Sequence, residues 1–337
     1  TNCKTKGDYY VLDDSHCIAN LTVQVGGLAG MCIGNLKMKN CTNEASIMVF
    51  QSNFAEYCEV SIGGMVGLVY WTERTPCITE IDRCRNTGSL SKEYYDYYTV
   101  EILNEWEANG GGMVGKVQDG SSYDPDIRIT NCVNTGNVYL KCWRTDPLFG
   151  QDHFAGGMIG LCNSDGEKSN DPYIFNCLNT GDIYAYGNDA ACGGMVGYNY
   201  SGDTHISLCV NTGSITGGGD TSNALGAISG QSETLHERAD CTECYFTNDP
   251  NMYSTGDGSC SHCWYYGAFS ELGGQPLSGT FLNSRKSLVN SHSSDGAKIW
   301  TDAQWAASAT WTGEAVHGGP CTLDIPEAGY SQSAVLR

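Results

Sequence analysis

Four cysteines in the second half of the chain have a spacing that could bind a metal ion. They are Cys241 and Cys244 in CTEC, and Cys260 and Cys263 in CSHC, which together give C-x2-C-x15-C-x2-C. Tetrahedral zinc sites use such pairs because two thiolates separated by two residues can both reach one ion. In an oxidising compartment the same cysteines would form disulfides. Disulfides are the leading interpretation, a zinc site is the alternative, and we predict no other cofactor.

The other residues with catalytic potential do not form a catalytic motif. The seven histidines are scattered, and LHERAD at 235–240 lacks the second histidine of a His-Glu-x-x-His metal site. GGGMVG at 110–115 precedes no helical pattern, which argues against a phosphate-binding loop. We therefore predict that the protein is not an enzyme. A polysaccharide-degrading solenoid enzyme, using surface pairs among the 38 acidic residues, is kept as an alternative.

Two short phrases recur along the chain and define a structural repeat. The cysteine phrase is ITNCVNTGNV at 129–138, IFNCLNTGDI at 174–183 and ISLCVNTGSI at 206–215. A glycine phrase such as IGGMVG at 62–67 precedes each copy after the first, and successive glycine pairs lie 33 to 48 residues apart. The intervals vary while the phrases do not, as expected for strands of stacked coils joined by surface loops. The cysteines assigned to the repeat position are 17, 41, 84, 132, 177, 209 and 241.

The residues of both phrases favour β-structure. Asn and Gly tolerate positive φ, so Asn-Thr-Gly predicts a turn between two short strands. The glycine pair permits a tight bend where another backbone comes close, and the following Met supplies apolar core surface. We predict an all-β fold, a β-solenoid of about six to seven coils, rather than a β-propeller with four strands per unit. Stacking would align five asparagines whose amides can hydrogen-bond from coil to coil: Asn43, Asn86, Asn134, Asn179 and Asn211.

GGMVG followed by NC-x-NTG-x-I resembles the GLUG-type repeat of secreted and surface-attached proteins. The resemblance covers about residues 15–245 and is clearest in the three middle copies. It implies a β-solenoid fold and a secreted or cell-surface location. It implies no catalytic residue, because that family shares none.

The chain divides into a β-solenoid repeat domain at 1–245 and an irregular C-terminal cap or assembly segment at 246–337. The second region loses the repeat and carries four of the seven tryptophans. An open solenoid end exposes unpaired strand edges, so this segment is expected to cap one end. The repeat starts within about twenty residues of Thr1, which leaves the other end nearly bare. One covered and one bare end allow head-to-tail growth.

Composition favours an extracellular or cell-surface location. Eighteen cysteines in 337 residues argue for an oxidising compartment, and three sequons offer N-glycosylation at Asn20, Asn40 and Asn199. The formal net charge of −20 argues against nucleic acid as a partner, since phosphate binding needs clustered Lys and Arg. The sequence has no apolar run of 18 residues, so we expect no membrane span.

Stacking also limits which cysteines can pair. Parallel coils place equivalent Cβ atoms about 4.8 Å apart, which is wider than a normal disulfide allows. Most repeat cysteines are therefore predicted to be buried thiols, or partners of cysteines outside the column. The candidate disulfides are Cys32–Cys58 and Cys162–Cys192. Cys32 and Cys162 follow their glycine pairs at the same offset, while Cys58 and Cys192 shortly precede the next pair.

An aromatic stretch, EYYDYYTV at 93–100, provides a possible binding surface. Its tyrosines cannot all share one buried face, so some rings should face outward and could stack on sugars or on another subunit. These binding candidates are Tyr94, Tyr95, Tyr97 and Tyr98. The leading hypothesis is an extracellular structural glycoprotein that self-associates head to tail into a filament or surface layer. The alternative is an adhesin or glycan-binding module.

Overall fold

The structure is a computed structural model, and its strands recur in the same order along the chain. It describes residues 1–13, 21–51, 57–71, 78–94, 105–119, 126–141, 151–163, 172–187, 189–201, 204–207, 209–211, 213–218, 222–226, 228–232, 239–242, 245–247, 260–261, 264–266, 275–276, 323–324 and 335–336. Within these residues the fold is all-β.

The first strands are β1 (Lys4–Thr5) and β2 (Asp8–Asp13), and groups of five strands follow. The first group is β3 (Leu21–Gly26), β4 (Ala29–Ile33), β5 (Leu36–Lys39), β6 (Thr42–Asn43) and β7 (Ser46–Gln51). The second is β8 (Tyr57–Gly63), β9 (Val66–Trp71), β10 (Ile78–Asp82), β11 (Arg85–Asn86) and β12 (Leu90–Tyr94). The third is β13 (Glu105–Gly111), β14 (Val114–Asp119), β15 (Asp126–Thr130), β16 (Val133–Asn134) and β17 (Val138–Lys141).

The fourth group is β18 (Gln151–Gly156), β19 (Ile159–Asn163), β20 (Tyr173–Phe175), β21 (Leu178–Asn179) and β22 (Ile183–Tyr186). The fifth is β23 (Asp189–Gly193), β24 (Val196–Ser201), β25 (Thr204–Ser207), β26 (Val210–Asn211) and β27 (Ile215–Gly218). The remaining strands are β28 (Ser222–Gly226), β29 (Ser229–Ser232), β30 (Ala239–Thr242), β31 (Tyr245–Thr247), β32 (Cys260–Ser261), β33 (Trp264–Tyr266), β34 (Gln275–Pro276), β35 (Leu323–Asp324) and β36 (Val335–Leu336).

Strands at the same place in each group pair side by side, so the groups stack on one another. Sheets 1 and 2 run from β3 to β28 and from β4 to β29. Sheet 3 runs from β5 to β32, sheet 4 from β1 to β34, and sheet 5 from β2 to β27. All pairs within these five sheets are parallel, as in a β-solenoid, and only β35 and β36 pair antiparallel among the described strands. The predicted all-β class with stacked parallel strands is confirmed.

The register of the sheets follows the sequence repeat. Gly111 pairs with Gly63 and with Gly156 in sheet 1. Asn134 pairs with Asn86 and with Asn179 in sheet 4. Equivalent residues therefore lie directly above one another, and a side chain that suits one group has the same surroundings in the next.

Two hydrophobic cores run along the stack. Core 1 takes its residues mainly from sheets 2 and 3 and from the turns between sheets 1 and 2, with Met113, Val117 and Ile129 fully buried. Core 2 lies between sheets 5 and 1 and includes Val60 and Leu90. Strand alternation explains the division, because successive side chains of a strand point to opposite faces and only alternate residues enter a given core.

Parallel pairing continues past residue 245, the predicted domain boundary. Tyr245 pairs with Trp264 and Trp264 with Gln275, so sheet 4 extends to β34. The cap assigned to 246–337 stays a prediction, because most of that segment lies outside the described residues. The described part of the chain contains no apolar helix long enough to cross a membrane.

Candidate functional site

Five stacked asparagines form a continuous ladder along sheet 4. Each Asn Nδ2 donates to the Oδ1 of the asparagine in the next group at 2.8 Å, from Asn43 through to Asn211. Asn134 Nδ2 also donates to the Gly136 carbonyl at 2.9 Å, which holds its own turn. At the N-terminal end the Thr5 hydroxyl donates to Asn43 Oδ1 at 2.6 Å. The predicted coil-to-coil ladder is confirmed, and all five asparagines are fully buried.

The glycine pair provides the space that this ladder occupies. A Cβ added to Gly112 would lie 2.1 Å from the Gly157 carbonyl oxygen and 2.4 Å from Cγ of Asn134. A Cβ added to Gly64 would clash in the same way with the Gly112 carbonyl oxygen and with the Asn86 side chain. The two repeated phrases are therefore physically coupled, because the asparagine fits only where the second glycine has no side chain.

A column of buried thiols runs beside the asparagine ladder. The Cys84 amide donates to Sγ of Cys132 at 3.4 Å, and the Cys132 amide donates to Sγ of Cys177 at 3.4 Å. Cys132 Sγ also lies 3.3 Å from the carbonyl oxygen of Ile81. Burial raises the pKa of the Cys132 and Cys177 thiols well above the usual range. The cysteines of this column therefore act as packing groups that satisfy backbone polar atoms.

The register corrects two assignments at the ends of the cysteine column. The Thr42 amide donates to the Cys3 carbonyl at 2.8 Å, just as the Arg85 amide donates to the Cys41 carbonyl at 2.8 Å, so Cys3 precedes Cys41 in the column. The repeat pattern predicts Cys17 at that place, and Cys17 lies outside the described residues. At the other end Cys241 pairs with Ile206 and so does not continue the column. The pair Asn2-Cys3, which repeats Asn131-Cys132, was the missed signal.

A second set of asparagine contacts joins the corners that precede Cys132 and Cys177. The residue directly before the cysteine at these corners has positive φ, from 52° to 58°, which asparagine tolerates better than most residues. Asn176 Nδ2 donates to Asn131 Oδ1 at 2.9 Å, and Asn131 Nδ2 donates to Asp82 Oδ1 at 2.9 Å. The corner residues with positive φ are Asn2, Asn40, Arg83, Asn131 and Asn176.

The two candidate disulfides do not form in the structure. Cys162 packs in core 1, whereas Cys192 packs in core 2. Cys32 packs against core 1, whereas Cys58 lies within core 2. The pairing failed because offsets along the chain do not reveal which face of a strand a side chain occupies. All ten cysteines with described side chains are thiols, so part of the high cysteine content serves packing.

The other predicted site residues are only partly described. Cys241 and Cys260, the first cysteines of the two C-x2-C motifs, pair in register on adjacent strands. Cys244 and Cys263 lie outside the described residues. Zinc and disulfides therefore both stay open. Tyr94 ends β12, and Tyr95, Tyr97 and Tyr98 lie outside the described residues.

The sequon asparagines differ in how accessible they are. Asn40 is half-buried at its corner. Asn199 is fully buried, and its Oδ1 accepts a hydrogen bond from the Thr204 hydroxyl at 2.9 Å. A glycan on Asn199 would have to break this bond and remove the side chain from the strand. Asn20 lies outside the described residues.

The first round of strands forms an open edge. Each of β1, β2, β3, β4 and β5 is the terminal strand of its sheet, so one side of every strand in this round lacks a neighbouring strand among the described residues. We call this surface the N-terminal edge. Its apolar side chains are exposed, with Tyr10 at 64%, Ile33 at 58% and Met31 at 43%.

The cores are incompletely covered at the N-terminal edge. Val23 and Val25 of β3 are only half-buried, whereas Val60 and Ile62, their partners in β8, are fully buried. This difference in burial comes from the position of each strand in the stack, because the paired side chains of β3 and β8 have the same register and similar size. The edge thus combines unpaired backbone groups with an exposed end of the apolar core.

A buried titratable residue, His153, lies in register with Ala108 and Ala190 of core 2. His153 is fully buried, and its Nδ1 lies 2.5 Å from the Tyr186 carbonyl oxygen, so Nδ1–H donates to that carbonyl. Lys92 is buried in the same region of the stack. Burial, with a smaller contribution from the Lys92 charge, lowers the pKa of His153 well below its usual value.

This lowered pKa predicts a loss of stability in mild acid. The unfolded chain binds a proton at His153 near pH 6.5 while the folded chain does not, so stability falls as pH drops below that value. From pH 6.5 to pH 5 the loss from this residue is at most about 2 kcal/mol, which is reached when only the unfolded chain takes up the proton. Urea unfolding at both pH values should show a smaller pH dependence for His153→Leu than for wild type. His205→Gln, at a half-exposed position, is the control and should keep the wild-type slope.

The geometry defines a class of protein, a parallel β-solenoid with internal polar ladders and with strands at the N-terminal edge that lack a neighbour among the described residues. No protein-family model, curated protein or solved structure matches the chain. Its function must therefore be argued from its own residues.

Proposed function

We propose that this chain is an extracellular structural glycoprotein, a solenoid of about six to seven coils with a C-terminal cap, that assembles head to tail into a filament or surface layer. The single observation that carries the proposal is the N-terminal edge, where backbone hydrogen-bonding groups and apolar core are exposed together. Such edges pair with other chains unless they are blocked.

The arrangement of strands at the N-terminal edge favours a second copy of this chain as the partner. Five parallel strands in fixed relative positions need five partner strands at the same spacing. Within the described part of the chain, β27, β28 and β29 end the sheets that begin with β2, β3 and β4, so both ends of these three sheets have matching strand spacing. A head-to-tail contact of this kind is heterologous and can continue indefinitely.

Charge is expected to control the assembly. A formal net charge of −20 makes the subunits repel one another, and this repulsion is screened by salt. We therefore expect longer assemblies at higher ionic strength. A contact held by ion pairs would instead weaken as salt is added.

The extracellular location and the glycosylation rest on sequence features. The sequon at Asn40, on a half-buried corner, and the GLUG-type repeat both support them. Both features are also compatible with the glycan-binding alternative.

The test places a charge at the edge. Ile33→Lys in β4 should weaken self-association by about tenfold or more, because the lysine would have to be buried or displaced at the contact. Sedimentation velocity over a range of protein and salt concentrations would measure this, with electron microscopy for particle shape. Ile78→Lys is the matched control, because Ile78 is 45% exposed and its strand β10 has neighbours on both sides.

The outcomes are distinct. Growth of elongated particles in wild type and Ile78→Lys, with loss in Ile33→Lys, supports the proposal. A wild-type monomer at all concentrations and salt levels would refute it, as would equal effects of the two substitutions.

A further inference from the structure

A lysine is buried between sheets 1 and 2, outside both cores. Lys116 of β14 has a side chain that is only 4% exposed, and its Nζ lies 2.9 Å from Glu59 Oε1 and 2.8 Å from Glu107 Oε1. The two carboxylates are neighbours in register on β8 and β13. An isolated buried charge would be costly, so the two carboxylates account for the presence of the lysine here.

Glu107 also contacts a buried amide. Asn109 Nδ2 donates to Glu107 Oε1 at 2.6 Å, the same oxygen that accepts the hydrogen bond from Lys116. Because the two hydrogen bonds share Glu107 Oε1, the distance between Lys116 Nζ and Asn109 Nδ2 is at most the sum of the two hydrogen-bond lengths. Asn109 is fully buried, and its Oδ1 has no hydrogen-bond partner among the described residues.

The surroundings of this group are largely apolar. Lys116 pairs in register with Leu68 on one side and Leu161 on the other, and both leucines are 3% exposed. Asn109 pairs with Phe154, which packs with Leu161 in a small cluster. Because Lys116 and Asn109 are both buried, solvent has little access to the reacting groups, which favours attack by the amine over attack by water.

We propose that Lys116 and Asn109 form an intramolecular amide bond, with Glu107 carrying protons between them. The Lys116 Nζ–Asn109 Cγ bond forms and the Asn109 Cγ–Nδ2 bond breaks. Of the three protons on the lysine ammonium, one stays on the new amide nitrogen. Glu107 relays the other two to Nδ2, which departs as ammonium. The reaction needs no oxidant, reductant or cofactor.

Glu59 is expected to slow this reaction while it holds Lys116 in place. Burial alone would lower the pKa of Lys116, but Glu107 and Glu59 together raise it, so the amine must first give a proton to Glu107. The neutral amine is the nucleophile. The bond should therefore form faster at higher pH, and Glu59→Gln should increase its rate.

Intact-mass spectrometry of the folded full-length chain tests the proposal. Wild type incubated at pH 7 and pH 9 should progressively lose the mass of one ammonia, sooner at pH 9. Lys116→Arg and Asn109→Ala should show no loss, and Glu107→Gln should be slowed at least about a hundredfold, as expected when a proton carrier is removed. Circular dichroism of each variant would confirm that it is folded.

Peptide mapping of the wild-type chain gives a second measurement that does not depend on any variant. A protease digest should contain a branched peptide in which the Lys116 and Asn109 segments are joined. An unchanged wild-type mass after prolonged incubation at pH 9 would overturn the proposal. A loss of water in place of ammonia would also overturn it, because the bond would then involve Glu59 or Glu107.

Discussion

Replacing Gly112 with alanine is expected to lower the free energy of unfolding by about 4 kcal/mol. The added Cβ would lie 2.1 Å from the Gly157 carbonyl oxygen and 2.4 Å from Cγ of Asn134. Backbone and a hydrogen-bonded side chain both bound this space, so neither can move without breaking contacts between groups of strands. The cost therefore combines overpacking with damage to the asparagine ladder.

Urea unfolding followed by far-ultraviolet circular dichroism would measure the effect. Gly34→Ala is the matched control, because a Cβ there would meet no described atom within 4 Å and its φ of +92° adds only backbone strain. That strain is about 1 kcal/mol. Equal losses in the two variants would show that the glycine pair is not needed for close packing.

Replacing Asn134 with alanine is expected to cost a similar amount, about 4 kcal/mol. The change removes the hydrogen bonds to Asn86 and Asn179, both 2.8 Å, and the 2.9 Å bond to the Gly136 carbonyl. Water cannot replace these partners in a fully buried ladder, so the desolvation cost of the abandoned polar atoms remains.

The control for this variant is Asn137→Ala. Asn137 is exposed, and its side chain accepts one hydrogen bond within the described part of the chain, from the Asp182 amide at 3.0 Å. Its loss should cost less than about 1 kcal/mol. Urea midpoints for the two variants should therefore separate clearly, and a small effect at Asn134 would mean that the ladder contributes little to stability.

The double variant Gly112→Ala, Asn134→Ala would show whether the two phrases act as one unit. Alanine at 134 removes the Cγ that the new Cβ would meet, so the combined loss should be smaller than the sum of the two single losses. Simple addition would indicate that the contact with the Gly157 carbonyl dominates.

The sequence was informative wherever a feature is repeated. The asparagine ladder, the close backbone approach at the glycine pair and the burial of the following Met were all predictable, because each copy sits in nearly the same environment. Repetition also made the parallel stacking predictable, since equivalent residues can align only if the coils pile up in register.

Features that occur once were harder to predict. Cys3 was overlooked because its group has the ladder position filled by Thr5 rather than by asparagine. Cys241 was assigned to the wrong register because two cysteines three residues apart both resemble the repeat cysteine. The disulfides Cys32–Cys58 and Cys162–Cys192 failed because spacing does not show which core a side chain enters.

The amino-acid sequence by itself determined the repeated strands, the turns and the parallel stacking, because these depend on local residue preferences that recur in each repeat. Only the tertiary structure decided which residues from distant parts of the chain meet. Lys116 contacts Glu59, 57 positions earlier, through the folding of sheet 1 against sheet 2. The tertiary structure likewise decided that Val60 is fully buried while its register partner Val23 is half-buried, because only Val60 lies on a strand with a neighbour on both sides among the described residues.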